Sequence, residues 1–227
     1  ILSMAMIFSA MNPISYVQAS AETQLSREAR EAQTTVTGEI QESATGADLS
    51  SEGRLDWVQF NTNNAENYNR KNIAQPLITD VTRGTVNQAD ETYTPTDTEY
   101  SFTDGTSSQS GSSRTALVMV NAGSDLEFKL PGSEQMRYVK IYTGAWSSRL
   151  KLTVLVNGQE EYSASYNQPD PSAPGKSMTF ALQYQTASDS DEVKVRIEIV
   201  ETYSSSSYSG NVSVQAVTLS DRLQKEE

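Results

Sequence analysis

Hydrophobic and polar residues alternate with a period of two along much of the chain, as in β-strands with one buried face. The clearest example is a pair of adjacent segments, one around Val139 and Ile141 and one at residues 150–156. The dipeptide Asn157-Gly158 follows the second segment. Because these two residues tolerate the positive φ angles of a type I′ turn, they predict an antiparallel β-hairpin.

The same period recurs before and after this hairpin, and no segment shows the 3.6-residue period of an amphipathic helix. Ten or more short strands with turn residues between them predict an all-β protein, an antiparallel two-sheet β-sandwich or jelly roll. The further predicted strands lie at residues 34–37, 55–60, 75–81, 116–120, 126–130, 178–184, 193–199 and 212–219.

Three positions predict finer features of the sheets. Gly144 is expected to allow a bend between the two central segments, beside the large aromatic Trp146. Pro76 lacks a backbone N–H and therefore predicts an edge strand. Residues 116–120 are apolar on both faces, which favours a central strand.

The chain divides into a leader, a tether, one domain and a short tail. Residues 1–8 are apolar and residues 17–21 end in a small-x-small pattern, which is typical of a signal peptide. No basic segment precedes these residues, so we expect residues 1–21 to be an N-terminally truncated signal peptide; a buried helix is the alternative. We predict a linker at 22–33, the β-sandwich domain at 34–221, and a tail or the start of another linker at 222–227.

A signal peptide predicts a secreted, extracellular protein, free or associated with the cell surface. No later apolar run approaches the roughly 20 residues of a membrane span. The formal net charge is -12 and no basic run is present, which disfavours nucleic acid as a partner. The absence of cysteine excludes disulfides from a secreted domain and is more typical of a Gram-positive bacterium than of a eukaryote.

Catalytic chemistry has few candidates in this sequence. The chain contains neither histidine nor cysteine, which excludes a Ser-His-Asp triad, an imidazole metal site and a thiolate nucleophile. Paired carboxylates remain, as in glycoside hydrolases, for example Asp125 with Glu127 or Asp97 with Glu99. Such pairs lie about 7 Å apart on one strand face. Nothing distinguishes these carboxylates from ordinary surface charges, so we expect that the protein is not an enzyme.

We expect no cofactor, and a structural calcium ion is the one option left open. Calcium binds to carboxylate and carbonyl oxygens in loops. Neither acidic loop of this chain follows a defined calcium-binding pattern, which favours solvated charges. The acidic residues are Asp97, Glu99 and Asp104 in one loop and Asp189, Asp191 and Glu192 in the other.

Aromatic residues near strand ends and loops are the best candidates for ligand binding. The C–H face of a sugar stacks on an exposed aromatic ring, and loops at one end of a sandwich form a binding edge. Core packing is the favoured interpretation for Trp57 and an equal alternative for Trp146, and loop packing is an alternative for the tyrosines placed in loops (166, 203 and 208). A buried ion pair with Asp56 is the favoured interpretation of Arg70. The candidate ligand-binding residues are Trp146, Tyr142, Tyr166, Tyr203, Tyr208 and Arg70.

A set of short motifs in residues 34–221 resembles a β-sandwich module of secreted, often multidomain, bacterial proteins. The resemblance implies a galactose-binding-like, carbohydrate-binding-module-like jelly roll, a type usually attached to enzymes or wall proteins. It implies no ligand, since no binding-residue motif accompanies it. The motifs are DLSSEGRLDW (48–57), YNRK (68–71), YSFTDG (100–105), YTGAW (142–146), Thr202-Tyr203 before a Ser/Gly loop, and GNV (210–212).

The residues and the resemblance together predict a secreted, non-catalytic accessory module. Its expected partner is carbohydrate, either a host glycan or a cell-wall polysaccharide, bound through the loops at one end of the sandwich. Further domains of a larger chain are also expected as partners. The alternative is a structural or adhesive spacer domain of a bacterial surface protein, with no small ligand.

Overall fold

The computed structural model describes residues 34–42, 46–60, 68–84, 98–203 and 210–223. Within these ranges the chain forms fourteen strands and one short helix, α1 (Leu49–Glu52). In chain order the strands are β1 (Thr35–Glu42), β2 (Asp56–Phe60), β3 (Tyr68–Arg70), β4 (Thr79–Arg83), β5 (Tyr100–Phe102), β6 (Gly111–Ser113), β7 (Leu117–Val120), β8 (Asp125–Pro131), β9 (Arg137–Trp146), β10 (Ser148–Val156), β11 (Gln159–Gln168), β12 (Lys176–Gln185), β13 (Glu192–Thr202) and β14 (Asn211–Ser220).

The strands form two antiparallel sheets and one small hairpin. The larger sheet has the order β1-β12-β9-β14-β2-β3, with β7 paired to β14 beside this path. The smaller sheet has the order β11-β10-β13-β8-β4, and β5 pairs with β6. This arrangement confirms the predicted all-β class and the antiparallel two-sheet β-sandwich. The predicted leader and linker, residues 1–33, lie outside the described residues.

The hydrophobic core lies between the two sheets and follows from the period of two. In the larger sheet Ile141 of β9 is the register partner of Phe180 of β12. In the smaller sheet Val154 of β10 is the partner of Val195 of β13. All four side chains belong to one buried cluster formed by the inward faces of both sheets. Each such side chain contributes about 1.5–3 kcal/mol when it leaves water, so this alternation is the main driving force for the fold.

The central hairpin has the predicted turn. Asn157 and Gly158 have φ angles of 51° and 82°, and they join β10 to β11. The Asn157 side chain also accepts a hydrogen bond from the Glu192 N–H at 3.0 Å and donates one to Asp191 Oδ1 at 2.9 Å. The turn is therefore also fixed to the start of β13.

Two of the finer predictions are wrong and one is confirmed in part. Strand β9 runs through Gly144 without a break, and a Cβ there would lie 2.6 Å from Ser213 Oγ, so a larger residue would have to displace that side chain. Strand β7 is buried but, among the described residues, pairs only with β14, so it is not a central strand. Strand β4 does lie at the edge of its sheet, but it spans Thr79–Arg83 and not the predicted 75–81, so Pro76 precedes the strand and is not the reason for its edge position.

A second, smaller cluster packs outside the larger sheet. We call it the outer cluster. Its buried members come from α1, β5 and the outward faces of β2, β9 and β14, and they are Leu49, Trp57, Tyr100, Phe102, Tyr142 and Ala216. The Trp57 and Phe102 rings have centroids 4.7 Å apart, and the Tyr100 and Tyr142 rings 4.8 Å apart. Part of the larger sheet is therefore covered on both faces.

Asp104 connects the segments that form the outer cluster. Its Oδ1 accepts hydrogen bonds from the Trp57 Nε1–H at 2.8 Å and from the Ser50 hydroxyl, and its Oδ2 accepts one from the Lys71 ammonium. Burial alone would raise the pKa of Asp104, but the bonds from Lys71, Ser50 and Trp57 outweigh it and lower the pKa below the usual range. We call these four residues the Asp104 network.

We predict that Asp104→Asn lowers the free energy of unfolding by about 2 kcal/mol at neutral pH, because three donors lose a charged acceptor. Because the pKa is lowered in the folded state, the carboxylate stabilises the fold above the pKa of an unfolded aspartate, about 3.9. This contribution disappears as the pH falls through the folded pKa. Urea unfolding of both proteins from pH 7 to pH 3 measures the difference.

The matched control is Asp221→Asn, which removes an exposed ion pair with Arg54 at 3.1 Å. An exposed pair contributes about 0–1 kcal/mol, so this variant should unfold close to the wild type. Equal stability of the two variants at pH 7 would contradict a stabilising role for the Asp104 network.

Candidate functional site

Four strand ends meet at the turn between β9 and β10. Ser147 is the single residue between these strands, which belong to different sheets, and it has a φ of 48°. Its N–H donates to Gln168 Oε1 at 2.7 Å, and its carbonyl accepts from the Tyr203 N–H at 2.8 Å. A Cβ on Gly210 would lie 1.9 Å from the Ser147 carbonyl oxygen, so this position requires glycine. We call this site, formed by Trp146, Ser147, Gln168, Tyr203 and Gly210, the Trp146 edge.

Trp146 is the half-buried aromatic residue of this edge. Its neighbour Ala145 lies in the main core, so alternation directs the Trp146 side chain to the outer face of the larger sheet. Asn211 of β14 is its register partner on one side. Gly175 lies on the other side, where an added Cβ would be 3.6 Å from Trp146 Cβ, an ordinary van der Waals contact. Gly175 itself therefore places no side chain against this flank of Trp146, which we call the free flank.

Polar side chains of the smaller sheet follow the same turn, on the outer face of that sheet. The Tyr203 hydroxyl donates to Asn167 Oδ1 at 2.8 Å and lies 3.2 Å from Glu201 Oε2. Partial burial and the Glu201 charge raise the pKa of Tyr203, so its hydroxyl is neutral and able to donate. Glu201 also pairs with Arg149 at 3.3 Å, and both side chains are exposed. The smaller-sheet side of the turn thus carries a hydroxyl, an amide and a charge pair that is internally balanced.

Two of the tyrosines that were candidate ligand-binding residues do not lie at exposed loop positions. Tyr142 is buried in the outer cluster, and its hydroxyl donates to Glu52, so its ring is not available at the edge. Burial, with the Glu52 charge, raises the pKa of Tyr142. Tyr166 lies in strand β11 and not in a loop, and its half-buried ring packs against the main core. Tyr208 lies outside the described residues.

Arg70 forms the predicted ion pair with Asp56. The Arg70 guanidinium lies 3.4 Å from Asp56 Oδ2 and donates to the Ile78 carbonyl at 3.2 Å. Asp56 is 0% exposed and also accepts from the backbone N–H groups of Leu77 and Ile78, each at 2.8 Å. A buried carboxylate with these donors fixes the chain between β3 and β4 to β2. The geometry gives Arg70 a structural position, away from the Trp146 edge.

The two acidic loops use their carboxylates within the protein. Asp191 Oδ2 accepts from the Ser188 N–H at 2.9 Å, and Asp189 Oδ1 accepts from the Glu134 N–H at 2.9 Å. In the other loop Glu99 lies 3.9 Å from Arg114, Asp104 belongs to its own network, and Asp97 lies outside the described residues. In the part of the chain that the structure describes, no three acidic side chains converge on a point that could hold a metal ion. The carboxylates of Asp104, Asp189 and Asp191 thus have donors within the protein.

Asp125 and Glu127, the predicted carboxylate pair, both face Arg196. The distances from Arg196 Nε are 2.7 Å to Asp125 and 3.7 Å to Glu127. Lys194 also lies 3.4 Å from Glu127. These carboxylates are therefore members of an ion-pair ladder on the outer face of the smaller sheet.

Sequence reasoning did not identify Gln168 and Ser147. Gln168 is a buried amide at the end of β11, and Ser147 is a non-glycine residue with positive φ. Neither residue type is distinctive in a sequence rich in Ser and Gln. The only local signal was the Ser-Ser pair after Trp146, which predicted a turn but not its partners.

No protein-family model matches the chain, and no curated protein matches it in sequence. Similar solved structures include the carbohydrate-binding module TmCBM61 in complex with β-1,4-galactotriose, with a TM-score of 0.34 and 10% identity over 48% of this chain and 72% of that one. The carbohydrate-binding module CBM36, in complex with calcium and xylotriose, has a TM-score of 0.29 and 8% identity over 45% of this chain and 78% of that one.

A cycloisomaltooligosaccharide glucanotransferase of Paenibacillus sp., complexed with cycloisomaltoheptaose, has a TM-score of 0.28 and 13% identity over 70% of this chain and 19% of that one. The likeness to all three proteins is one of strand arrangement. Separately, no helix among the described residues is long and apolar enough to cross a membrane.

We predict that Arg70→Met lowers the free energy of unfolding by about 3 kcal/mol, because it leaves the buried Asp56 carboxylate without its cation. Arg54→Met, which breaks the exposed pair with Asp221, should lower it by less than about 1 kcal/mol. Chemical denaturation of both variants measures the contrast. Equal, small effects would show that Arg70 is not a structural residue and would return it to the list of ligand contacts.

Proposed function

We propose that the protein is a secreted, non-catalytic accessory module that binds carbohydrate at the Trp146 edge. The observation that carries this proposal is the half-buried Trp146 ring beside Gly175, on a turn fixed through both backbone groups of Ser147. A turn whose backbone is already fixed loses little conformational entropy when a ligand stacks on the aromatic residue that it carries.

The chemistry of the edge fits a neutral, hydroxyl-rich ligand. Apolar C–H groups of a sugar stack on an indole ring, while its hydroxyls exchange hydrogen bonds with neighbouring polar groups. Tyr203 and Asn167 supply hydroxyl and amide groups on the smaller-sheet side of the same turn, where the Tyr203 N–H binds the Ser147 carbonyl. Arg149 and Glu201 compensate each other's charge, which leaves no net charge to select an ionic ligand. A neutral region of a host glycan or cell-wall polysaccharide is the partner that these groups favour.

The setting of the module is part of the proposal. A leader at residues 1–21 and a polar linker at 22–33 support export and attachment to other domains at a bacterial cell surface. Carboxylates of the described acidic loops accept hydrogen bonds within the protein, which supports a module whose loops are held without a metal ion.

We predict that the purified protein binds at least one neutral oligosaccharide on a glycan array and that Trp146→Ala loses at least tenfold in affinity. The ring supplies the apolar contact, and its removal from a half-buried position should leave the fold intact. Circular dichroism and the melting temperature verify folding. Silence of the wild type across the array would contradict carbohydrate binding and favour the spacer domain.

We predict that Gly175→Leu also abolishes binding, because its side chain would cover the free flank of Trp146 without displacing the backbone. The control is Gln183→Leu, an exposed position on the same strand face eight residues away, about 26 Å along the strand. It should bind as the wild type does. Unchanged binding by Gly175→Leu would place the ligand elsewhere on the sandwich.

A further inference from the structure

We propose that Gln168 is a positioning residue. It fixes the turn that carries the Trp146 ring relative to the loop on the free flank of that ring. This inference rests on the proposed function of the Trp146 edge. Gln168 is the last residue of β11 and is 5% exposed, so its amide is shielded from water. Its role would be to act through Trp146, without touching the ligand.

The Gln168 amide bonds to two segments at once. Its Oε1 accepts from the Ser147 N–H at 2.7 Å, which is the residue directly after Trp146. Its Nε2 donates to the carbonyls of Asp170 and Pro174, at 3.1 and 3.4 Å. Pro174 directly precedes Gly175, the residue on the free flank of the ring. One side chain therefore sets the turn that carries the ring and the loop that borders it.

The turn needs such a bond because of its backbone conformation. Ser147 has a φ of 48°, in the left-handed region that non-glycine residues rarely adopt. Its N–H is inside the protein and would lose a hydrogen bond if Gln168 were apolar. Only a primary amide supplies one acceptor and two donors from the same planar group, which is what the three partners require. Without it, the turn can relax and the indole can change its orientation.

Gln168→Met tests the proposal, since methionine has a similar length and flexibility but cannot form these hydrogen bonds. Labelling with 5-fluorotryptophan gives the protein two ¹⁹F resonances, one from Trp146 and one from the buried Trp57. Trp146→Phe assigns them, and the Trp57 resonance reports on the rest of the fold. The matched control is Gln185→Met, at the end of β12 that is farther from Gly175 and the Trp146 edge.

We expect Gln168→Met to shift or broaden the Trp146 resonance, to leave the Trp57 resonance in place, and to weaken the strongest oligosaccharide hit of the wild type about tenfold. Gln185→Met should change neither resonance. An unchanged Trp146 resonance in Gln168→Met would overturn the proposal. Changes in both resonances would also overturn it, because they indicate a general structural role.

The two proposals fail separately. If the wild type binds no oligosaccharide, carbohydrate binding is refuted, while a selective change of the Trp146 resonance still supports the positioning role. If the wild type binds but Gln168→Met leaves both affinity and the Trp146 resonance unchanged, positioning is refuted and carbohydrate binding stands. In either case the ¹⁹F measurement needs no ligand.

Discussion

The organisation of the Trp146 edge depends on one constraint, the passage of the chain from the larger to the smaller sheet within a single residue. Strand β9 ends at Trp146 and β10 begins at Ser148, in the other sheet. Ser147 must therefore carry the chain from one sheet to the other by itself, and it does so with a positive φ. Its buried backbone groups need partners, which come from the ends of β11 and β13. The same turn that closes the sandwich thus gathers the groups that surround the indole.

The outer cluster buries one of the two tyrosines on the outward face of β9 and leaves the other uncovered by α1 and β5. Tyr138 and Tyr142 both follow the outward period of β9, but only Tyr142 lies beneath α1 and β5, where it is buried. The Asp104 network holds these covering segments in place. Tyr142, which periodicity assigns to the surface, is therefore buried by tertiary contacts. Trp146 lies beyond this cover, at the end of the same strand. The outer cluster therefore determines which part of the larger sheet can meet a ligand.

Much of this arrangement was predictable from residues that act locally. The period of two identified the inward faces, Asn157-Gly158 identified the central hairpin, and the Asp56–Arg70 ion pair followed from a carboxylate beside a buried tryptophan. The burial of Tyr142 was not predictable, because periodicity assigns a face but does not reveal what covers it. The role of Gln168 was not predictable either, since its three partners are set by the loop after β11 and by a turn some 20 residues earlier in the chain.

The distribution of ion pairs on the smaller sheet favours the larger sheet, with Trp146, as the surface for a neutral ligand. The outer face of the smaller sheet carries a ladder in which Arg196, Lys194 and Lys129 meet acidic partners. Such exposed pairs are strongly hydrated, and a neutral ligand gains little by displacing their water. Trp146 instead offers an apolar ring on the larger sheet, which rewards the stacking of apolar C–H groups. Selectivity for a neutral ligand would then arise because removing water from the exposed ion pairs costs more free energy than removing it from the Trp146 ring.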